Sequence, residues 1–126
     1  MLIYDIKYNL RMTTILAEIK KGNIGTTIEL VIQKPVDPAQ PLGSKTPVQL
    51  SSYSTIQFEF EQPSGKRLSP VTASIKTTPL GLDGVATYTD NIGIFTSTSR
   101  WKVRPILRTS GGSIFKGSWV GFSVSD

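Results

Sequence analysis

From about residue 15 onward, apolar and polar side chains alternate in short runs with the period of a strand rather than a helix. Thr26–Gln33 sets Ile28, Leu30 and Ile32 on one face, and Thr27, Glu29, Val31 and Gln33 on the other. Ser54–Glu61 does the same with Ile56, Phe58 and Phe60 against Gln57, Glu59 and Glu61. Pro63-Ser64-Gly65-Lys66 reads as a turn into a strand that carries Val71, Ala73 and Ile75 on one face. Leu82-Asp83-Gly84 is a second turn, leading into Val85–Thr89. Ile15–Lys20 is a shorter strand candidate closed by Lys21-Gly22-Asn23. Pro35, Pro38, Pro41 and Pro47, with Gly43 among them, predict a loop that holds neither a helix nor a central strand.

The last two strands carry the clearest signal. Ser99–Thr109 and Ser113–Val124 flank Ser110-Gly111-Gly112, a hairpin turn. With Gly111-Gly112 as the loop, Trp101 faces Phe122 and Val103 faces Val120 on one side. The other side then carries Lys102, Arg104 and Arg108 with Phe115 and Trp119 opposite. Pro105 lacks a donor, so a bulge or an unpaired edge is expected beside it. Seven or eight short strands with turns at intervals of about 8–12 residues predict an all-β, immunoglobulin-like antiparallel β-sandwich. Residues 1–11 break the pattern, with Leu2, Ile3, Ile6 and Leu10 apolar and Tyr4 and Tyr8 amphipathic. A short helix or an extended arm fits them equally. The expected organisation is an N-terminal arm over 1–14 and a sandwich over 15–126, with the arm packing on its own sandwich or on a neighbouring subunit.

Composition narrows the chemistry. The chain has 126 residues, enough for one domain with its own core. Its 28 Ser and Thr, 11 Gly and 8 Pro favour strands and turns. It contains no Cys and no His. That excludes disulfides, thiolate nucleophiles, a Ser-His-Asp triad and the ordinary zinc sites. No apolar run is long enough to span a bilayer, and the N-terminus lacks the order of a secretory signal. The expectation is a protein without catalytic activity, cofactor, metal or membrane contact.

Three groups of residues invite a chemical reading. Glu59 and Glu61 are paired carboxylates, the equipment of a glycosidase, but polar-out alternation also explains them. Asp83, Asp90 and Asn91 offer oxygens to calcium without the dense acidic spacing of a calcium loop; they are also ordinary turn residues. The third group is basic. Through Pro63 the chain has six Lys and Arg and six Asp and Glu; from Ser64 it has eight against three, so the whole net charge of +5 lies in the second half. Arg100, Lys102, Arg104, Arg108 and Lys116 cluster on or beside the final hairpin with Trp119. Such a face suits an acidic protein surface, for which Arg and Trp are typical anchors, or is simply a solvated face that discourages edge pairing. Nucleic acid is the weaker partner reading, because no RNA-binding aromatic motif is present.

Several segments, in order, resemble the immunoglobulin-like N-terminal domain of phage baseplate upper proteins and related small tail or virion domains. Lys20-Lys21-Gly22-Asn23-Ile24-Gly25-Thr26-Thr27 is similar to the opening that leads into the first long strand of that family. Phe58-Glu59-Phe60-Glu61-Gln62-Pro63-Ser64-Gly65 is similar to its aromatic strand and turn, and Asp83-Gly84-Val85-Ala86-Thr87-Tyr88 to the Gly-led strand that follows. Ser99-Arg100-Trp101-Lys102-Val103 through Gly117-Ser118-Trp119-Val120-Gly121-Phe122-Ser123-Val124 resembles its closing hairpin. The resemblance implies a virion protein: a tail, neck or baseplate adaptor, or a capsid decoration protein. Its partners would be other phage structural proteins and further copies of itself. The expected interface residues are Leu2, Ile3, Tyr4 and Tyr8 of the arm and Lys102, Arg104, Arg108 and Trp119 of the hairpin. The alternative is a carbohydrate- or receptor-binding module on the same sandwich, with Trp119 beside Phe115 or Tyr53 as a sugar platform.

Overall fold

The structure, a computed structural model, describes residues 9–15, 19–37, 39, 43–76 and 81–126. Ten strands and one short 3₁₀ turn (Leu50–Ser52) account for the regular structure there, with no α-helix among the described residues. The strands are β1 (Asn9–Ile15), β2 (Thr27–Pro35), β3 (Lys45–Pro47), β4 (Thr55–Glu61), β5 (Val71–Thr72), β6 (Ser74–Ile75), β7 (Val85–Thr89), β8 (Ser99–Arg108), β9 (Ile114–Lys116) and β10 (Val120–Val124). They form two antiparallel sheets. The first runs β1-β2-β7-β6 with β3 added to β2; the second runs β10-β8-β4-β5 with β9 added to β8. This is the strand order of an immunoglobulin-like sandwich.

Alternation builds the core between the sheets. Ile28, Leu30 and Ile32 of β2, Phe58 and Phe60 of β4, and Trp101, Val103 and Leu107 of β8 are fully buried. Phe95, from the loop after β7, lies edge-on to Phe60, Trp101 and Phe122 at centroid distances of 5.5, 5.3 and 5.7 Å. Edge-to-face pairs of this kind suit the aromatic quadrupole. The Trp101 indole N–H donates to the Ser97 carbonyl at 2.9 Å, so the largest core side chain leaves no orphan donor. With no cysteine in the chain, packing of this kind rather than a disulfide joins the two sheets.

Three strands differ from their expected form. The strand expected over Ile15–Lys20 falls largely on residues 16–18, outside the described residues; ahead of it, Asn9–Ile15 pairs with β2, with a register shift between Met12 and Thr14. The bulge interrupts the period-two signal, which is why the pattern there reads as irregular. Residues 9–14, expected in the arm, therefore belong to the first sheet. Lys20 instead makes a parallel bridge to Ser125 beside the end of β10. The strand expected through Val71, Ala73 and Ile75 divides at Ala73: β5 pairs with β4 in one sheet and β6 with β7 in the other. Buried Ala73 is the corner, its N–H donating to the Ile56 carbonyl at 2.9 Å. Switching sheets at a small residue adds to the strand count without adding a layer.

The final hairpin has two compensating irregularities. Its loop is closed by Thr109 N–H to Ser113 O at 3.0 Å, so three residues, Ser110-Gly111-Gly112, make the turn. β9 accordingly pairs one residue out of the expected register, with Leu107 opposite Phe115. Gly117–Trp119 then absorbs the extra residue, and β10 returns to the expected pairs Val120–Val103 and Phe122–Trp101. Pro105 stands at that break. Its carbonyl accepts from Gly117 N–H at 2.9 Å, and its nitrogen points to the same side, so the missing donor faces the bulge.

Candidate functional site

The outward face of the second sheet gathers most of the charge in the second half of the chain. Along β8, Arg100, Lys102, Arg104 and Arg108 alternate with the buried Trp101, Val103 and Leu107. In register beside them on β4 stand Glu61 opposite Lys102, Glu59 opposite Arg104 and Thr55 opposite Arg108. Lys116 lies opposite Ile106 on β9. The expected cluster therefore exists, but two carboxylates share its face.

Those carboxylates change its electrostatics. Arg104 donates from Nη2 to Glu59 Oε1 at 2.6 Å and from Nε to the same oxygen at 2.7 Å. Both side chains are largely buried, at 14% and 13% exposure, so this is a desolvated, charge-assisted pair rather than a mobile surface contact. Arg108 Nε donates to Gln57 Oε1 at 3.1 Å. Arg100 lies across β10, its Nη1 3.4 Å from the Ser123 hydroxyl. Gly121 makes room for it: a Cβ there would sit 2.8 Å from Arg100 Nη2. Ile106 is buried although it points outward, between Gln57 and Lys116 in the ladder, where long polar stems cover apolar surface.

Trp119 is the centre of this face. The bulge at Gly117–Trp119 turns its ring over β8, where the Arg104 guanidinium lies 4.4 Å from the ring centroid. Arg67, on the chain after the β4 turn and bridged to Glu61, places a second guanidinium 5.2 Å from the same centroid. Both distances fall within cation–π range. Among the described residues, neither Arg67 nor Lys102 has a carboxylate at ion-pair distance. Arg67 was missed in the sequence because it lies 52 positions from Trp119; only the pairing of β4 with β8 brings them together.

Other sequence candidates fall elsewhere. Leu2, Ile3, Tyr4 and Tyr8 lie outside the described residues. Phe115, expected on the outward face, is turned inward by the one-residue offset of β9. It packs against the core and meets Tyr53 edge-on at 6.1 Å. Phe115 and Tyr53 therefore make no flat platform with Trp119. Asp90 is fully buried and accepts three backbone N–H groups: Ile92 and Gly93 on Oδ1, both at 3.0 Å, and Ile94 on Oδ2 at 2.9 Å. Burial first, then the charge of Asp90 and a hydrogen bond to it, push the Tyr88 phenol above its usual range. Asp83 Oδ1 accepts from Val85 N–H at 3.1 Å. Among the described residues, no three acidic side chains converge as a cation site.

No family model matches the chain, and no curated protein sequence matches it.

Proposed function

We propose that this chain is a non-enzymatic structural component of a bacteriophage particle that acts through protein–protein contacts. The role is that of a tail, neck or baseplate adaptor, or of a capsid decoration protein, present in several copies. The observation that carries the reading is the outward face of the second sheet, where Trp119 lies among Arg67 and Arg104 and the Arg104–Glu59 pair holds the arrangement in place. Trp and Arg are the residues that most often anchor protein interfaces, and a pre-ordered anchor loses little entropy on binding. The order of sequence segments resembling virion immunoglobulin-like domains supports the same reading, as does the sandwich itself.

Quantitative mass spectrometry on gradient-purified particles tests it. Co-sedimentation at a fixed ratio to the tail proteins is the result expected of an adaptor ring, and a ratio near that of the major capsid protein that of a decoration protein. Recovery only in the soluble fraction would refute the particle assignment and leave receptor or glycan binding to be tested.

A further inference from the structure

We propose that the Arg67–Trp119 face receives an acidic polypeptide segment, with a partner carboxylate seated on Arg67 and a second acidic group on Lys102. The proposal rests on the protein-contact reading above and names its partner chemistry.

Charge is the first support. The face carries Arg67, Arg100, Lys102, Arg104, Arg108 and Lys116 against Glu59 and Glu61, six cations to two carboxylates. Within it the charges are not equivalent. Arg104 is neutralised by Glu59, and Arg108 and Arg100 are held by Gln57 and Ser123. Arg67, Lys102 and Lys116 are exposed and, among the described residues, have no carboxylate at ion-pair distance; Lys116 lies on β9, at the far end of β8 from Lys102. Arg67 is also oriented, because the indole holds its guanidinium; its donors remain available to a planar acceptor.

The same geometry disfavours the other ligands of a basic, aromatic face. A base or a sugar ring would have to displace two guanidinium groups that already lie over Trp119. A continuous polyphosphate would run over Glu59 and Glu61, which stand on β4 beside the cations of β8. A polypeptide can set carboxylates on Arg67 and Lys102 and an uncharged residue over Glu61, which stands between them. Lys102 lies opposite Glu61, and the Glu61 backbone bridges to Arg67, so these two cations flank one short stretch of sheet.

The test is fluorescence anisotropy of a labelled hexaglutamate peptide titrated with the full chain, alongside a labelled oligothymidylate of equal charge. The expected result is saturable binding of the peptide that weakens as NaCl rises from about 0.05 to about 0.5 M. Arg67→Glu and Lys102→Glu each lower the affinity at least tenfold, whereas Lys34→Glu, the same charge change on the exposed end of β2, lowers it less than threefold. Circular dichroism confirms that each variant is folded. Absence of saturable peptide binding, equal affinity for Arg67→Glu and the parent chain, or tighter binding of the oligothymidylate would each overturn the proposal, the last in favour of nucleic acid. Particle incorporation separates the two readings. If Arg67→Glu is excluded from particles but the parent chain ignores hexaglutamate, the contact face stands and its acidic partner falls. If the peptide binds as expected but the protein never enters particles, the surface chemistry stands and the particle role falls.

Discussion

Replacing Asp90 with Ala removes a carboxylate that sits at zero exposure and organises the loop after β7. Three backbone N–H groups, of Ile92, Gly93 and Ile94, lose their acceptor together, and the Tyr88 phenol loses its partner as well. A hydrogen bond to a charged group contributes about 1.5–3 kcal/mol, so the lower figure for all three sums to about 4.5 kcal/mol. Part returns, because Asn91 and Ile92 are exposed and their stretch of loop can relax toward water. The net loss works out at about 3 kcal/mol, a large share of the ~5–15 kcal/mol that stabilises an ordinary domain. Asp90→Asn retains an acceptor for two of the three but turns an amide N–H₂ toward Ile94, for a loss of about 1.5 kcal/mol. Urea unfolding followed by tryptophan fluorescence reads both. With a slope near 2 kcal/mol/M, the midpoint falls by about 1.5 M for Ala and by about half that for Asn. The backbone around Asp90 is also tied to the loop before β2, by Gly25 N–H to Asp90 O at 2.6 Å and Asp90 N–H to Thr26 O at 2.8 Å. Hydrogen exchange should therefore quicken in both loops of Asp90→Ala. A midpoint shift below about 0.5 M, or equal shifts for Ala and Asn, would refute the view that the carboxylate holds the loop through its three backbone N–H groups.

Two further perturbations probe the frame. Gly84 adopts φ +72° with its Cβ position 2.5 Å from the Ile32 carbonyl oxygen, so Gly84→Ala should lower the melting temperature by more than about 10 °C, while Gly112→Ala, at φ +90° in open space, should cost only about 1 kcal/mol; similar shifts for the two would refute the steric account. The raised Tyr88 phenol makes a pH prediction: a group whose folded pKa lies above its unfolded value near 10 contributes stability that is complete below pH 10 and is lost as pH rises through the folded value. Melts between pH 9 and about 11.5 should show that alkaline loss in the parent chain and a shallower one in Tyr88→Phe; parallel curves would remove Tyr88 as the cause.

What the sequence made legible was local. Period-two alternation assigned the inward faces of β2, β4 and β8, because burial acts on each side chain in turn. The pairs Trp101–Phe122 and Val103–Val120 followed from the hairpin, although the turn has three residues and the bulge before Trp119 restores the register. Phe115 lies between those two irregularities, so alternation alone assigns it to the wrong face. The non-local features were not legible. Nothing near Arg104 announces Glu59, 45 positions away, and nothing near Trp119 announces Arg67. Hence the basic cluster was visible in the sequence and its partial neutralisation was not. Asp90 looked like a turn residue and is one, but its three amides come from the path of the loop rather than from a motif.

The parallel bridge between Lys20 and Ser125 has a mechanical consequence. Lys21 N–H donates to Ser125 O at 2.7 Å, and Ser125 N–H donates to Ile19 O at 2.9 Å, across 106 positions of chain. Tension applied between the chain before Ile19 and the chain after Ser125 pulls two parallel segments past one another. Their hydrogen bonds lie across the direction of pull, so they are loaded together and must rupture together. A hairpin pulled from its open end would instead surrender its bonds singly. The two segments thus form a small shear clamp that resists stretching between them more strongly than its few bonds would if they were peeled one by one.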